Sequence, residues 1–270
     1  MCALATGCAG SATPSRDPST LPPVRFLLTF DDGPSIALSD NPTQKIADTL
    51  AHNSVQPGIK AVFFIQTRWP GAGGAPLGQR LIQRLANDGH VLGLHSGTVR
   101  GHIDHRKMEE RELLASLRDG RADIERYGKD SGLIRPPFWA FNTQTLATYD
   151  QAGVSMLLTD LRARDGLFHW YQVNPQTGGR LHRDFAYFQQ RLLDGAIQPV
   201  DGVVPVVVTF HDTNTFTAEQ LDTYLSTLIN VGRQGGMRIA DPPFYGDSAT
   251  LLKAALSRAK NRATPEDIAP

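Results

Sequence analysis

The sequence predicts an α/β fold in which parallel strands alternate with helices and either close into a (β/α) barrel or form a doubly wound sheet. Three observations carry this. Apolar, strand-like runs near residues 24–30, 59–65, 91–94, 154–159 and 203–210 are separated by stretches whose apolar residues recur at helical spacing, and such alternation implies right-handed crossovers between parallel strands. The runs end on polar residues, at Asp31-Asp32, His95, Asp160 and His211, which favours a barrel with a site at the carboxyl ends of its strands. The 270 residues, 40% of them hydrophobic, suit one large domain with a sizeable core.

Taken in order, the first strand stops at two adjacent carboxylates followed by Gly33-Pro34, which forces a turn. Asn41-Pro42 then supplies an N-cap and a first-turn proline for a helix carrying Ile46, Ala47 and Leu50. After the second strand comes a Gly/Pro-rich loop at 71–78, then a helix with Leu77, Leu81, Ile82 and Leu85 on one face. The third strand ends at His95, and beyond a polar loop Leu113, Leu117, Ile124 and Tyr127 mark a long amphipathic helix. Arg135-Pro136-Pro137-Phe138 forms a short stiff segment. Thr217-Ala218-Glu219-Gln220 reads as a capping box opening a helix that stops near Gly232, and residues 237–240 as a last strand.

Taken alone, Asp31-Asp32 reads equally as an Asx-turn closing a strand. Thr29-Phe30-Asp31-Asp32-Gly33-Pro34, together with His95-Ser96, Arg135-Pro136-Pro137-Phe138 and the strand ending at His211, resembles the motifs of the polysaccharide deacetylase family, also called the NodB-homology or carbohydrate esterase 4 family. The resemblance covers residues 24–239. It implies an irregular seven-stranded (β/α) barrel and a hydrolase that removes N-acetyl groups from amino sugars of a polysaccharide. An esterase, a small-amide hydrolase or a non-catalytic carbohydrate-binding protein on the same scaffold are the alternatives.

By the same resemblance Asp32 binds a divalent metal, most readily Zn2+ with Co2+, Ni2+ or Mn2+ as alternatives, while Asp31 stays off it as general base. Arg135 orients Asp31, the backbone N–H of Phe138 helps hold the oxyanion, and His211 is the general acid, because a leaving amine needs a proton. Asp160 resembles the carboxylate that keeps His211 charged, with Asp165 the other possibility. Trp139 or Trp170 would line the groove. An Asp and two His leave coordination positions open, as catalytic zinc requires.

Asp32 and His95 supply two ligands, and the second histidine is where this chain departs from the family. Four residues after His95 stands Val99, and the next histidines are His102 and His105, so the loop carries three extra residues. In the family the second histidine is followed about eleven and fifteen residues later by apolar positions of the next helix, and by that resemblance the count reaches Leu113 and Leu117 from His102, but Ser116 and Gly120 from His105. His102 is therefore the expected third ligand, with His105 beside it.

Lys+Arg and Asp+Glu are equal at 27 each, which excludes a basic field for nucleic acid and is compatible with a neutral polysaccharide or oligosaccharide partner. No run is apolar enough for a transmembrane span. Both cysteines, Cys2 and Cys8, lie in an Ala/Gly/Ser/Pro-rich opening stretch, so a metal site must use His and carboxylate. The expected organisation is a disordered leader or signal remnant at 1–23, a catalytic domain at 24–250, and a C-terminal helix and tail at 251–270. Cys8 is a candidate lipid anchor, and the expected location is the bacterial cell envelope, periplasmic or extracellular. The segment 165–198 and the loop 71–78 match no motif of the family.

Overall fold

Strand β1 (Val24–Asp31) is the centre of the sheet. It pairs with β7 (Val204–His211) over its whole length, from Val24 opposite Val204 to Asp31 opposite His211. Its other edge is shared by two strands. β2 (Val62–Gln66) takes the C-terminal half through Thr29 and Phe30, and β8 (Ile239–Phe244) takes the N-terminal half through Val24 and Phe26. A computed structural model describes residues 20–163, 165 and 178–260. Within it the strands run β5-β4-β3-β2-β1-β7-β6, all parallel, where β3 is Val91–Ser96, β4 Leu133–Ile134, β5 Ser155–Met156 and β6 Leu161–Arg162. This is a single α/β domain of seven parallel strands curled into a half-barrel, with β8 added beside β1.

Alternation along β1 divides the core in two. Phe26, Leu28 and Phe30 face the helices, and the Phe30 ring stacks on Phe63 and Phe210 at 4.9 and 5.7 Å, each such pair stabilising by about 1 kcal/mol beyond simple burial. Leu27, Thr29 and Asp31 face inward. Leu27 packs with Val62, Phe64, Leu133, Leu157 and Val207 against Leu251, Ala254 and Ala255 of α7 (Ser248–Arg258), which plugs the amino-terminal end of the barrel. Burying Leu251 alone is worth about 2 kcal/mol. The boundary expected at residue 250 thus falls inside a helix that belongs to the core. The remaining helices, α1 (Pro42–Ala51), α2 (Pro76–Asn87), α3 (Glu110–Glu125), α4 (Thr143–Gln151), α5 (Gly178–Leu193) and α6 (Thr215–Gln234), complete the alternation.

Three elements differ from the sequence reading. Of the strand expected over 154–159 only β5, Ser155–Met156, forms, because the carbonyls of Leu157 and Leu158 accept from the Arg135 guanidinium instead of from a neighbouring strand, and β6 begins beyond it at Leu161. The last strand, expected over 237–240, runs from Ile239 to Phe244 through Pro242 and Pro243, which an edge strand tolerates. Helix α6 opens at Thr215, capped by Asn214, whose side chain accepts from the Thr217 N–H. Thr217 is not the cap; its hydroxyl donates to Asp165. No helix among the described residues is long and apolar enough to cross a membrane. Cys2, Cys8, Trp170 and the tail 261–270 lie outside the described residues, as does all of 166–177.

Candidate metal centre and active site

The site lies at the carboxyl ends of β1, β3 and β7, and its layout follows from how β1 ends. Strand alternation points Asp31 into the barrel and would point Asp32 out. Instead Asp32 takes a left-handed conformation, φ 74°, and this local reversal brings two neighbouring carboxylates to one side. The turn is held from three sides. Gln66 at the end of β2 donates its side-chain amide to the Asp32 carbonyl at 2.7 Å and its backbone N–H to the Gly33 carbonyl. Thr43 of α1 accepts from the Ser35 N–H. Asp212, one residue past β7, lies so close to Gly33 that any Cβ there would overlap its carboxylate. Asp212 is buried and bonded to the Thr43 hydroxyl, and burial pushes its carboxyl up to about 7.

Asp32, His95 and His102 converge. Asp32 Oδ1 lies 3.0 Å from His95 Nε2 and 3.2 Å from His102 Nε2, and the three groups offer ligand atoms within 4.8 Å of one another. His95 Nδ1 donates to the Arg135 carbonyl at 2.8 Å, which leaves a lone pair on Nε2 facing the carboxylate. Neither His95 Nε2 nor Asp32 Oδ1, both buried, has a hydrogen-bond partner among the described residues. Two acceptors at that distance are satisfied by a proton or by a cation between them, and the donor set of one carboxylate and two imidazoles suits a divalent metal. Burial works against the Asp32 charge, but His95, His211 and His102 hold its carboxyl well below the usual range. Burial and the neighbouring His95 push His102 down to about 4, so at neutral pH it is the neutral, ligating form.

His105 is placed elsewhere. Its Nδ1 bonds to the Tyr149 hydroxyl at 2.6 Å in the short turn His105–Lys107, and burial pushes its imidazole down to about 3. The structure therefore groups His102, and not His105, with Asp32 and His95.

Asp31 pairs with a fully buried cation. Arg135 is 0% exposed, and its Nη1 donates to Asp31 Oδ1 at 2.8 Å and to Thr29 Oγ1 at 2.6 Å. Its guanidinium lies over the rings of Phe64 and Trp139, at 4.3 and 5.0 Å. Removing one partner of such a pair leaves an uncompensated buried charge. Trp139 is thus engaged with Arg135, and with Arg162 at 4.9 Å, rather than standing free in the groove. Phe138, by contrast, is 61% exposed, with its ring 4.1 Å from that of His102. Both Phe138 and Trp139 have positive φ, 58° and 59°.

The carboxylate beside His211 is Asp165, and the expectation for Asp160 is corrected. Asp165 Oδ1 accepts from His211 Nδ1 at 2.7 Å, while its Oδ2 accepts from the His211 N–H and the Thr217 hydroxyl at 2.8 and 2.6 Å. Asp160 instead accepts from the Val207 N–H and pairs with Arg258 of α7. The reason is register. Leu161 lies opposite Val208, so Asp160 sits level with Val207, four residues and about 13 Å short of the strand end where His211 stands. Burial works against the His211 imidazolium, but the Asp165 ion pair and hydrogen bond, with the charges of Asp31 and Asp32, lift it to about 10. His211 Nε2 faces the centre, 3.9 Å from Asp32 Oδ2.

Comparison with known proteins agrees with this geometry. Residues 19–157 match the polysaccharide deacetylase family. A peptidoglycan-N-acetylglucosamine deacetylase from Listeria monocytogenes is 27% identical over 241 residues, covering 88% of this chain. The chain spans only 42% of that enzyme's length. Among solved structures, the chitin deacetylase of the fungus Colletotrichum lindemuthianum superposes with a TM-score of 0.59 at 20% identity, over 91% of this chain and 96% of that one. A family 4 pseudoenzyme from Bacillus anthracis also shares the fold, with a TM-score of 0.54 at 18% identity over 85% of this chain and 66% of its own.

Proposed function

The chain belongs to the polysaccharide deacetylase family, and from that premise we propose that it is a metal-dependent hydrolase removing N-acetyl groups from amino sugars of a polysaccharide of the chitin, peptidoglycan or poly-N-acetylglucosamine type. The observation that carries the reading is the meeting of two pairs and a triad at one end of the barrel: Asp31 with Arg135, His211 with Asp165, and Asp32 with its two histidines. Asp32, His95 and His102 would hold the divalent metal, which when bound polarises the acyl carbonyl and acidifies water.

The chain's own residues do the rest. Arg135 fixes Asp31 through Oδ1, leaving Oδ2 to take the proton of the attacking water. As the acyl carbon becomes tetrahedral, charge develops on its oxygen, and the Phe138 N–H donates to it. His211, held protonated by Asp165, gives its Nε2 proton to the departing nitrogen. That last feature favours an amide over an ester, since an amine leaves only when protonated whereas an alkoxide of a sugar is less demanding. A binding protein without turnover would have no use for a base, an acid and a ligand set that are all present. An envelope polymer as substrate would place the protein in the periplasm or outside the cell.

The metal assignment is tested by measuring metal content and acetate release of His102→Ala and His105→Ala side by side. His102→Ala is expected to lose the metal and the activity together, while His105→Ala keeps its metal. The reverse pattern would overturn the assignment, and metal retained by both would mean that the site is not an Asp-His-His site.

A further inference from the structure

The Gly-rich loop after β2 fits no motif of the family, and three residues are extra between His95 and His102. In the structure they meet at Trp69. Gly101, immediately before His102, has φ +76° and packs on the Trp69 indole; a Cβ on it would lie 2.7–2.9 Å from Cγ, Cδ1 and Cδ2 of that ring. Gly71 packs on the other half of the same indole, where a Cβ would lie 2.5–2.8 Å from Cζ2, Cη2 and Cε2. Both contacts require the absence of a side chain, so the loop around His102 is shaped to this ring.

Trp69 is itself held firmly. Its carbonyl accepts from the N–H groups of Ala72 and Gly74, both at 2.9 Å. The preceding Arg68 donates to Asp123 and Asp119 of α3 at 2.5 and 2.9 Å, and the Thr67 hydroxyl bonds to Asp123 at 3.1 Å. The ring is anchored from behind while 38% of the residue remains exposed.

The two histidines are oriented by different means. His95 is fixed by a hydrogen bond from Nδ1 to a backbone carbonyl. The His102 ring has Asp32 at its Nε2 and packs on the rings of His95 and Phe138, with no hydrogen bond from Nδ1 among the described residues. A ligand with no protein partner at its second ring nitrogen relies on packing and on its backbone to aim it.

We infer that Trp69 is a positioning residue for the metal centre: its indole, seated against Gly101, sets where His102 Nε2 stands and thereby how tightly the divalent metal is bound. This rests on the Asp32-His95-His102 reading. The test is the zinc dissociation constant, by chelator competition, of Trp69→Ala, Trp69→Phe and Gly101→Ala, with the unfolding midpoint of each metal-free protein and Asp32→Asn as control. Trp69→Ala should bind zinc roughly 10- to 100-fold more weakly, the usual effect of losing an outer partner of a ligand, while the metal-free protein, though less stable, remains folded at the assay temperature. Trp69→Phe, which keeps a flat ring under Gly101, should recover most of the affinity, and Gly101→Ala, which pushes against the ring from the His102 side, should lose it. Wild-type affinity in Trp69→Ala, with Asp32→Asn zinc-free, overturns the role of Trp69 alone. Wild-type affinity in Asp32→Asn overturns the metal site and this inference with it. Should Trp69→Ala not fold, undiminished affinity in Gly101→Ala overturns the inference.

Discussion

Asp31→Asn is expected to keep its metal and lose activity by about 100- to 10,000-fold, the range for removal of one general base. The amide is nearly the size of the carboxylate and can still accept from Arg135 Nη1 through its oxygen, so the buried guanidinium keeps its bonds to Thr29, Leu157 and the residue at position 31. What disappears is the ability to take a proton, together with the charge that compensates Arg135, so some loss of stability accompanies the loss of activity. Acetate release and metal content measured on the same preparation separate this from a folding defect. Near-normal acetate release in Asp31→Asn would show that the base is another group.

His211→Ala should cost a comparable factor, about 100- to 10,000-fold, and the loss should be larger on an N-acetylated sugar than on an O-acetylated one, because the amine needs the proton more. The pH dependence gives a second view of the same residue. His211 acts as an acid, so the rate is sustained while it is protonated and falls as pH rises through its pKa, which Asp165 holds far above the ordinary histidine value, at about 10. In Asp165→Asn the chief supporting charge is gone and burial still disfavours the imidazolium. The alkaline limb of kcat/KM should therefore move to lower pH by at least about one unit. An unmoved limb would mean that Asp165 does not hold the proton on His211.

Much of this was legible because β1 obeys the period of a strand. Phe26, Leu28 and Phe30 alternate with Leu27, Thr29 and Asp31, and the Asp-Asp-Gly-Pro turn that ends the strand gains its functional reading from the motifs at His95, Arg135 and His211. The choice of His102 over His105 was also readable, since the inward positions of α3 set the count. What could not be read depends on register and on contacts distant in sequence. Asp160 and Asp165 are alike as residues, and only the pairing of Leu161 with Val208 shows which one reaches the strand end. Arg135 breaks the strand expected over 154–159 by taking its carbonyls, an event that no local pattern announces. Asp212 directly follows the strand end at His211, and its place against Gly33 follows from β7 lying beside β1. Trp69 stands just before the loop 71–78 that matched no motif, and its use appears only when Gly101 is seen on its ring.

The central claim is that Asp32, His95 and His102 hold a metal that this chain uses to deacetylate an amino sugar. Acetate release across chitin oligomers, peptidoglycan fragments, poly-N-acetylglucosamine and acetylxylan, with and without chelator, tests it most directly. The account predicts release from at least one N-acetylated glycan, abolished by chelator and restored by zinc or cobalt. Release unaffected by chelator, or from acetylxylan alone, would contradict it.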